Sequence, residues 1–233
     1  MRTLFVFLIC QLMLCANTEL KFFGQDLQDQ FVYENYFKGK EKGFFVDIGA
    51  HEGVFISNTY FFEKYLGWGG ICFEPTPASF KKLAKNRKCI CINVAVATEA
   101  GRQSFVVNPK TKNFINGLLD QFDPNHVIRH GIHKRLRNRS AYTIDVDCIT
   151  FNDVMEEHGV YKIDFLSIDT EGGELKILQS IDFDRFDIDI ICVENLYLDP
   201  GFKQFLSKKG YQFIKHGEKD DFFKKCRTDG EDL

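Results

Sequence analysis

The apolar run Phe44 to Ile48 stops at Gly49, and runs of this kind recur between helical stretches along most of the chain. In a strand, neighbouring side chains point to opposite sides of the sheet, so a run without polar alternation must be covered on both faces. Parallel sheets flanked by helices meet that condition. After the first run, Val54 to Leu66 reads as an aromatic-rich helix ended by Gly67, and Gly70 to Phe73 as the next strand. Thr76-Pro77 has the form of an N-cap with proline in the first helical turn, ahead of Phe80, Leu83 and Ala84 on one face. Lys85, Arg87 and Lys88 stand where they complement the end of that helix.

The pattern continues with Ile90 to Ala97 as a third strand and Gln103 to Asn108 as a short one. Pro109 to Tyr142 is polar and charged, and reads as an insertion without assignable structure. Regularity returns with the period-2 strand Thr143 to Ile149 and the helix Thr150 to His158, opened by Thr150 with Asp153 three residues on. Phe165 to Ile168 and Ile188 to Val193 are two more buried strands, with helices expected around Leu175 to Ile181 and after Asp199-Pro200. Tyr211 to Lys215 and Asp221 to Lys225 form a closing hairpin. These alternations predict an α/β fold, an open and mostly parallel sheet with helices on both faces.

Composition narrows the class. Of 233 residues, 44% are hydrophobic and 25 are Phe, which excludes a disordered chain, and a net charge of -3 argues against a nucleic-acid partner. Residues 1–16 read as a signal peptide or a short anchor, because Arg2 precedes an apolar run too short to span a bilayer easily. The expected location is the secretory lumen or outside the cell, with no stable membrane span if the segment is cleaved. Residues 17–43 then form a linker and a helix over Asp26 to Phe37, 44–226 the main domain, and 227–233 a polar tail. Cys72, Cys91 and Cys192 fall inside apolar runs and read as small buried hydrophobes, and Asn138-Arg139-Ser140 is a glycosylation sequon.

In open α/β sheets ligands bind beyond the carboxyl ends of the strands, where the strand order reverses. That rule selects Asp47 to Gly53, Glu74, Val94 to Thr98, Asp169 to Gly172, and Glu194-Asn195. Gly49 and Gly53 let the backbone approach a ligand closely. Glu74 ends the next strand, where a carboxylate can accept hydrogen bonds from both hydroxyls of a ribose. Asp47 would place a carboxylate near a positively charged ligand, and would otherwise cap amides of its own turn. Neither Gly-x-Gly-x-x-Gly nor a Gly-Lys-Ser/Thr loop occurs, which argues against nicotinamide dinucleotides, ATP and GTP.

Three blocks carry a resemblance: Asp47-Ile-Gly-Ala-His-Glu-Gly53, Glu74-Pro75 with Phe80, Leu83 and Asn86, and Ile168-Asp169-Thr170-Glu171-Gly172 with Glu174 and Leu178. Together they resemble the FkbM-type methyltransferases over roughly Asp26 to Phe223. The resemblance implies a Rossmann-like sheet of about seven strands with the last antiparallel, and S-adenosylmethionine-dependent O-methylation of a sugar or small-molecule hydroxyl. Asp47, Gly49, Ala50, His51 and Gly53 would then hold the methionine part of the cofactor, Glu74 its ribose, and Asp169 and Glu171 would face the acceptor, a small molecule or glycan. His51 stands where relatives often carry Asn or Gly.

His126, His130 and His133 follow helical spacing among arginines and lysines, but Gly131 interrupts the face and no nearby acid completes a ligand set. A solvated basic helix is expected there, and no metal site is assigned. The competing reading from another class is a catalytically silent binding protein of the secretory pathway that keeps the methyltransferase fold.

Overall fold

The computed structural model describes residues 20–109 and 115–227. The signal-segment expectation and nearly all of the polar tail lie outside these residues. Among them, no helix is long and apolar enough to cross a membrane.

The main sheet has seven strands: β1 (Phe44–Ile48), β2 (Gly69–Phe73), β3 (Ile90–Ile92), β8 (Lys162–Ile168), β9 (Asp187–Glu194), β10 (Tyr211–His216) and β11 (Asp220–Lys225). Their spatial order is β10-β11-β9-β8-β1-β2-β3, and every neighbouring pair is parallel except those made by β11. The last strand is therefore antiparallel, as expected. Order reverses between β1 and β8, the position at which such sheets open a ligand crevice.

Both faces are covered, which explains why the strands read as unbroken apolar runs. Val46, Ile48, Leu166 and Ile168 pack with α6 (Phe151–Glu157), α7 (Glu174–Ser180) and α8 (Gly201–Lys208). Phe45, Cys72, Phe165 and Cys192 pack on the opposite side, against α1 (Gln28–Val32), its π-helical continuation to Phe37, α2 (Tyr60–Leu66) and α3 (Pro77–Asn86). Many of the phenylalanines concentrate here: Phe62 alone contacts the rings of Phe37, Phe61, Trp68 and Phe165. Cys72 and Cys192 are buried as expected, whereas Cys91 is only half-buried at the sheet edge.

Four features differ from expectation. The run Ile90 to Ala97 is split, for after β3 the chain leaves the main sheet and Ala95–Val96 forms β4 of a second sheet. Thr143 to Ile149 also belongs to that second sheet, within β7 (Tyr142–Ile149), paired with β4, with β5 (Gly101–Val107) and through it with β6 (Gly117–Leu118). Its period-2 alternation reflects one solvated face, unlike the main strands. Among its described residues the insertion has regular structure: besides β6 it holds α4 (Pro124–His130) and α5 (Ile132–Arg137), separated at Gly131 with φ 59°.

The fourth difference is the helix expected from Val54, which begins only at Tyr60. Residues 54–59 are a loop with Ile56 at φ 54°, and Ser57 Oγ accepts the amides of Thr59 and Tyr60. Arg87 holds this loop. Instead of facing solvent at the end of α3, its guanidinium is buried and donates to Glu63 Oε2 at 2.9 Å, to Gly53 O at 3.1 Å, to Ser57 Oγ at 3.3 Å and to Thr59 Oγ1 at 3.1 Å. Thr59 in turn donates to Asp47 Oδ2, which lies 4.0 Å from the guanidinium. Buried charges persist only when paired and hydrogen-bonded, and Arg87 meets both conditions. Arg87→Met should cost about 3–5 kcal/mol in denaturant unfolding, because Asp47 and Glu63 lose their buried counter-charge.

Candidate active site

A cleft of about 530 Å³ opens at the carboxyl ends of β1, β2, β8 and β9. It receives Asp47, Gly49, Ala50, His51, Glu74, Asp169, Glu171 and Glu194, so the structure brings the three sequence blocks together. Val94 to Val96 of the β3–β4 connection also line it, as the strand-end rule expects. Gly53 does not. Its φ is +81°, and a side chain there would meet Leu83 and Arg87, so this glycine serves the packing of the loop on α3.

The first turn is built without slack. Gly49 has φ +94°, and a Cβ on it would lie 1.8 Å from the Asp169 carbonyl oxygen. The Gly49 and Ala50 amides both donate to Phe73 O, at 3.1 and 3.0 Å, which ties the turn to the end of β2. His51 adopts φ 49°, uncommon for a side-chain-bearing residue. Burial holds its imidazole below the ordinary histidine value, which favours the neutral ring. Asp47 is buried behind the turn, and that burial raises its carboxyl despite Arg87 and Thr59, which favour the charged form.

Glu74 sits at the end of β2. The Thr76 amide donates to its Oε1 at 2.7 Å, and the Thr76 hydroxyl donates to the same oxygen. Thr76 thus occupies the N-cap position of α3 but spends its hydroxyl on Glu74 rather than on the helix. The His51 backbone also supports the Glu74 carboxylate, joining the first and second blocks. Burial raises the Glu74 carboxyl, and these hydrogen bonds work against that rise.

Opposite this pair, the loop after β8 gathers acids. Asp169 opens onto the cleft but sits deep among like charges: burial, then Asp220 and Glu174, push its carboxyl up to about 8, with Lys219 opposing. Glu171, at φ 64°, is pushed up to about 9 by burial, then by Asp169 and Glu174. Glu194 is raised too, chiefly by its burial. Asn195 is structural, since its amide donates to Asp199 O and Asp221 Oδ2.

The insertion roofs this loop. A Cβ on Gly172 would lie 2.8 Å from the Asp123 amide, and one on Gly117 would lie 3.1 Å from the Thr170 carbonyl. Arg129 and His130 of α4 reach the cleft, and the His126 and His130 rings lie 4.4 Å apart, while His133 is exposed. The helical histidine row is therefore broken, as Gly131 implied.

Several residues of the site were not assigned from sequence. Glu174, present in the third block, received no role, yet its carboxylate accepts the amides of Thr170 at 2.8 Å and Gly172 at 2.9 Å and so shapes the loop. Lys219 arrives from the turn between β10 and β11, and no local motif announces it. Gln121 comes from within the insertion.

The chain matches the Methyltransferase FkbM domain over residues 47–227, which includes all three blocks. It belongs to the FkbM methyltransferase family. The FkbM domain of this chain is similar to Methyltransferase sdnD of Sordaria araneosa, 23% identical over 229 residues that cover 81% of this chain and 84% of that protein. It is also similar to Methyltransferase 1 of Beauveria bassiana, 24% identical over 209 residues, with 79% and 82% covered. Against the crystal structure of Methyltransferase FkbM from Methylobacillus flagellatus the TM-score is 0.45 at 11% identity, over 82% of this chain and 46% of that one.

Two glycines separate strain from collision at this site. Gly49 and Gly67 both have positive φ, but a Cβ at Gly67 meets nothing within 4 Å. Gly67→Ala should cost about 1 kcal/mol in chemical denaturation, whereas Gly49→Ala should cost at least about 2 kcal/mol more by displacing Asp169.

Proposed function

We propose that the FkbM-family cleft binds S-adenosylmethionine and methylates a hydroxyl of a sugar or other small molecule. The observation that carries this reading is the pairing of a side-chain-free turn at Gly49 with a braced carboxylate, Glu74, at the end of the neighbouring strand. A cleft of about 530 Å³ suits a nucleoside-sized ligand and an acceptor together. The residues present therefore fit the cofactor.

Glu74 would bind the ribose hydroxyls, with the Thr76 amide and hydroxyl fixing one of its oxygens so that the other is oriented by the same brace. Gly49, Ala50 and His51 would border the methionine part, and Asp47 behind them supplies negative charge. Gly53 would act indirectly, by letting the loop pack on Arg87. When bound, the cofactor supplies an electrophilic sulfonium methyl group. A hydroxyl acceptor sheds its proton as the new bond forms, and Asp169 and Glu171, their carboxyls pushed up to about 8 and about 9, would orient that proton when protonated and take it when ionised. Most of the acceleration would come from holding the acceptor in line by the walls of the cleft. Arg129 and Lys219 at the same cleft favour an acceptor with anionic or strongly polar character. The apolar N-terminal run after Arg2 supports a location in the secretory pathway, where the acceptor would be a glycan or a metabolite.

Calorimetry with S-adenosylmethionine and the full chain tests the binding half of this reading. Binding should be saturable and should weaken at least about tenfold in Glu74→Ala, the loss of a charged hydrogen-bonding partner; no heat at millimolar cofactor leaves the silent-protein reading instead. The chemical half rests on Asp169. Asp169→Asn should keep cofactor affinity within a few-fold while methyl transfer falls by about an order of magnitude or more, and unchanged turnover would remove Asp169 from the reaction.

A further inference from the structure

Asp169 follows β8, Glu174 opens α7 and Glu194 ends β9, and one carboxylate oxygen from each lies within 4.8 Å of the others. Such a group is costly to assemble unless protons or a cation separate the charges. Glu174 is oriented by the Thr170 and Gly172 amides. Glu194 is buried and, among the described residues, its carboxylate accepts no hydrogen bond.

A separate observation also points to a missing ligand. Gln121 Oε1 and His126 Nε2 are buried and make no hydrogen bond among the described residues. Gln121 is 7% exposed and His126 1%. Both residues line a smaller cavity together with Glu174 and Glu194, and His126 Nε2 faces Glu171 Oε2 at 3.8 Å. In the tautomer whose Nδ1–H donates to the Tyr197 oxygen, 3.3 Å away, His126 Nε2 is an acceptor. A buried polar atom without a partner is expensive, and water held on a cation supplies the donors that these two atoms lack.

We propose that Asp169, Glu174 and Glu194 bind a hard divalent cation whose coordinated waters hydrogen-bond to Gln121 Oε1 and His126 Nε2. An all-oxygen set selects magnesium, manganese or calcium over zinc and copper. Glu174 and Glu194 anchor the ion from the floor of the cleft, and Asp169 brings it to the wall that faces the acceptor. There it holds the acceptor oxygen. This last role rests on the methyl-transfer reading; the binding site does not.

The test uses the full chain stripped by chelator and titrated with Mn²⁺ alone, followed by electron paramagnetic resonance and calorimetry. One saturable site with Kd on the order of 10⁻⁴ M or tighter is expected. Glu194→Gln should weaken it at least about tenfold, while Glu157→Gln on the last turn of α6 leaves it unchanged. If Glu194→Gln fails to fold by circular dichroism, Asp169→Ala takes its place, since the Asp169 side chain makes no hydrogen bond among the described residues. Absence of saturable Mn²⁺ binding, or binding unaffected by removal of these carboxylates, overturns the proposal. Mn²⁺ binding without S-adenosylmethionine binding keeps the cation site and removes the methyltransferase reading; the reverse result does the opposite.

Discussion

The Asp169 carbonyl occupies the space where a side chain on residue 49 would have to be. That contact, reinforced by the Asp169 amide donating to Ile48 O at 2.9 Å, locks the ends of β1 and β8 together at the point where strand order reverses. Everything chemical in the cleft hangs on it. The turn that would border a cofactor and the loop that would face an acceptor are one backbone contact apart, so neither can shift without the other. Preorganisation of this kind is what in-line group transfer requires of a protein scaffold.

A second layer of support comes from groups that touch no ligand. Arg87 gathers the carbonyl of Gly53, the hydroxyls of Ser57 and Thr59, and the carboxylate of Glu63, and through Thr59 it steadies Asp47. A non-helical loop over residues 54–59 is stable because the guanidinium satisfies polar groups that an irregular segment would otherwise leave unpaired. Thr76 does the same for Glu74 on the other wall.

The insertion and the second sheet complete the enclosure. β5, β6 and the segment from Ile115 to His130 contribute Phe105, Leu118, Gln121 and Phe122 to the cleft, so one side of it is made by the least regular part of the chain. Beneath it, acids from two strands and a helix meet with Lys219, the cation from the terminal hairpin. Burial and mutual repulsion hold these carboxyls toward their neutral forms.

The main sheet, its two covered faces, the closing hairpin and the strand-end residues Asp47, Glu74 and Asp169 were legible in the linear pattern. Burial on both faces leaves an unbroken apolar run, and parallel topology puts the residue after each run at the ligand edge. In the sequence Arg87 reads as a charge that complements the end of α3, because nothing nearby signals its distant partners Gly53, Thr59 and Glu63. The departure of Ala95 and Val96 into a second sheet was hidden for a related reason, since a strand's apolar pattern records that it is covered but not by which sheet. Local pattern thus decided which segments are strands and helices and where their ends fall. Only the packed chain decided that Gly49 must be bare, that Gly53 serves α3, and that Asp169, Glu174 and Glu194 converge, because each depends on atoms many residues away.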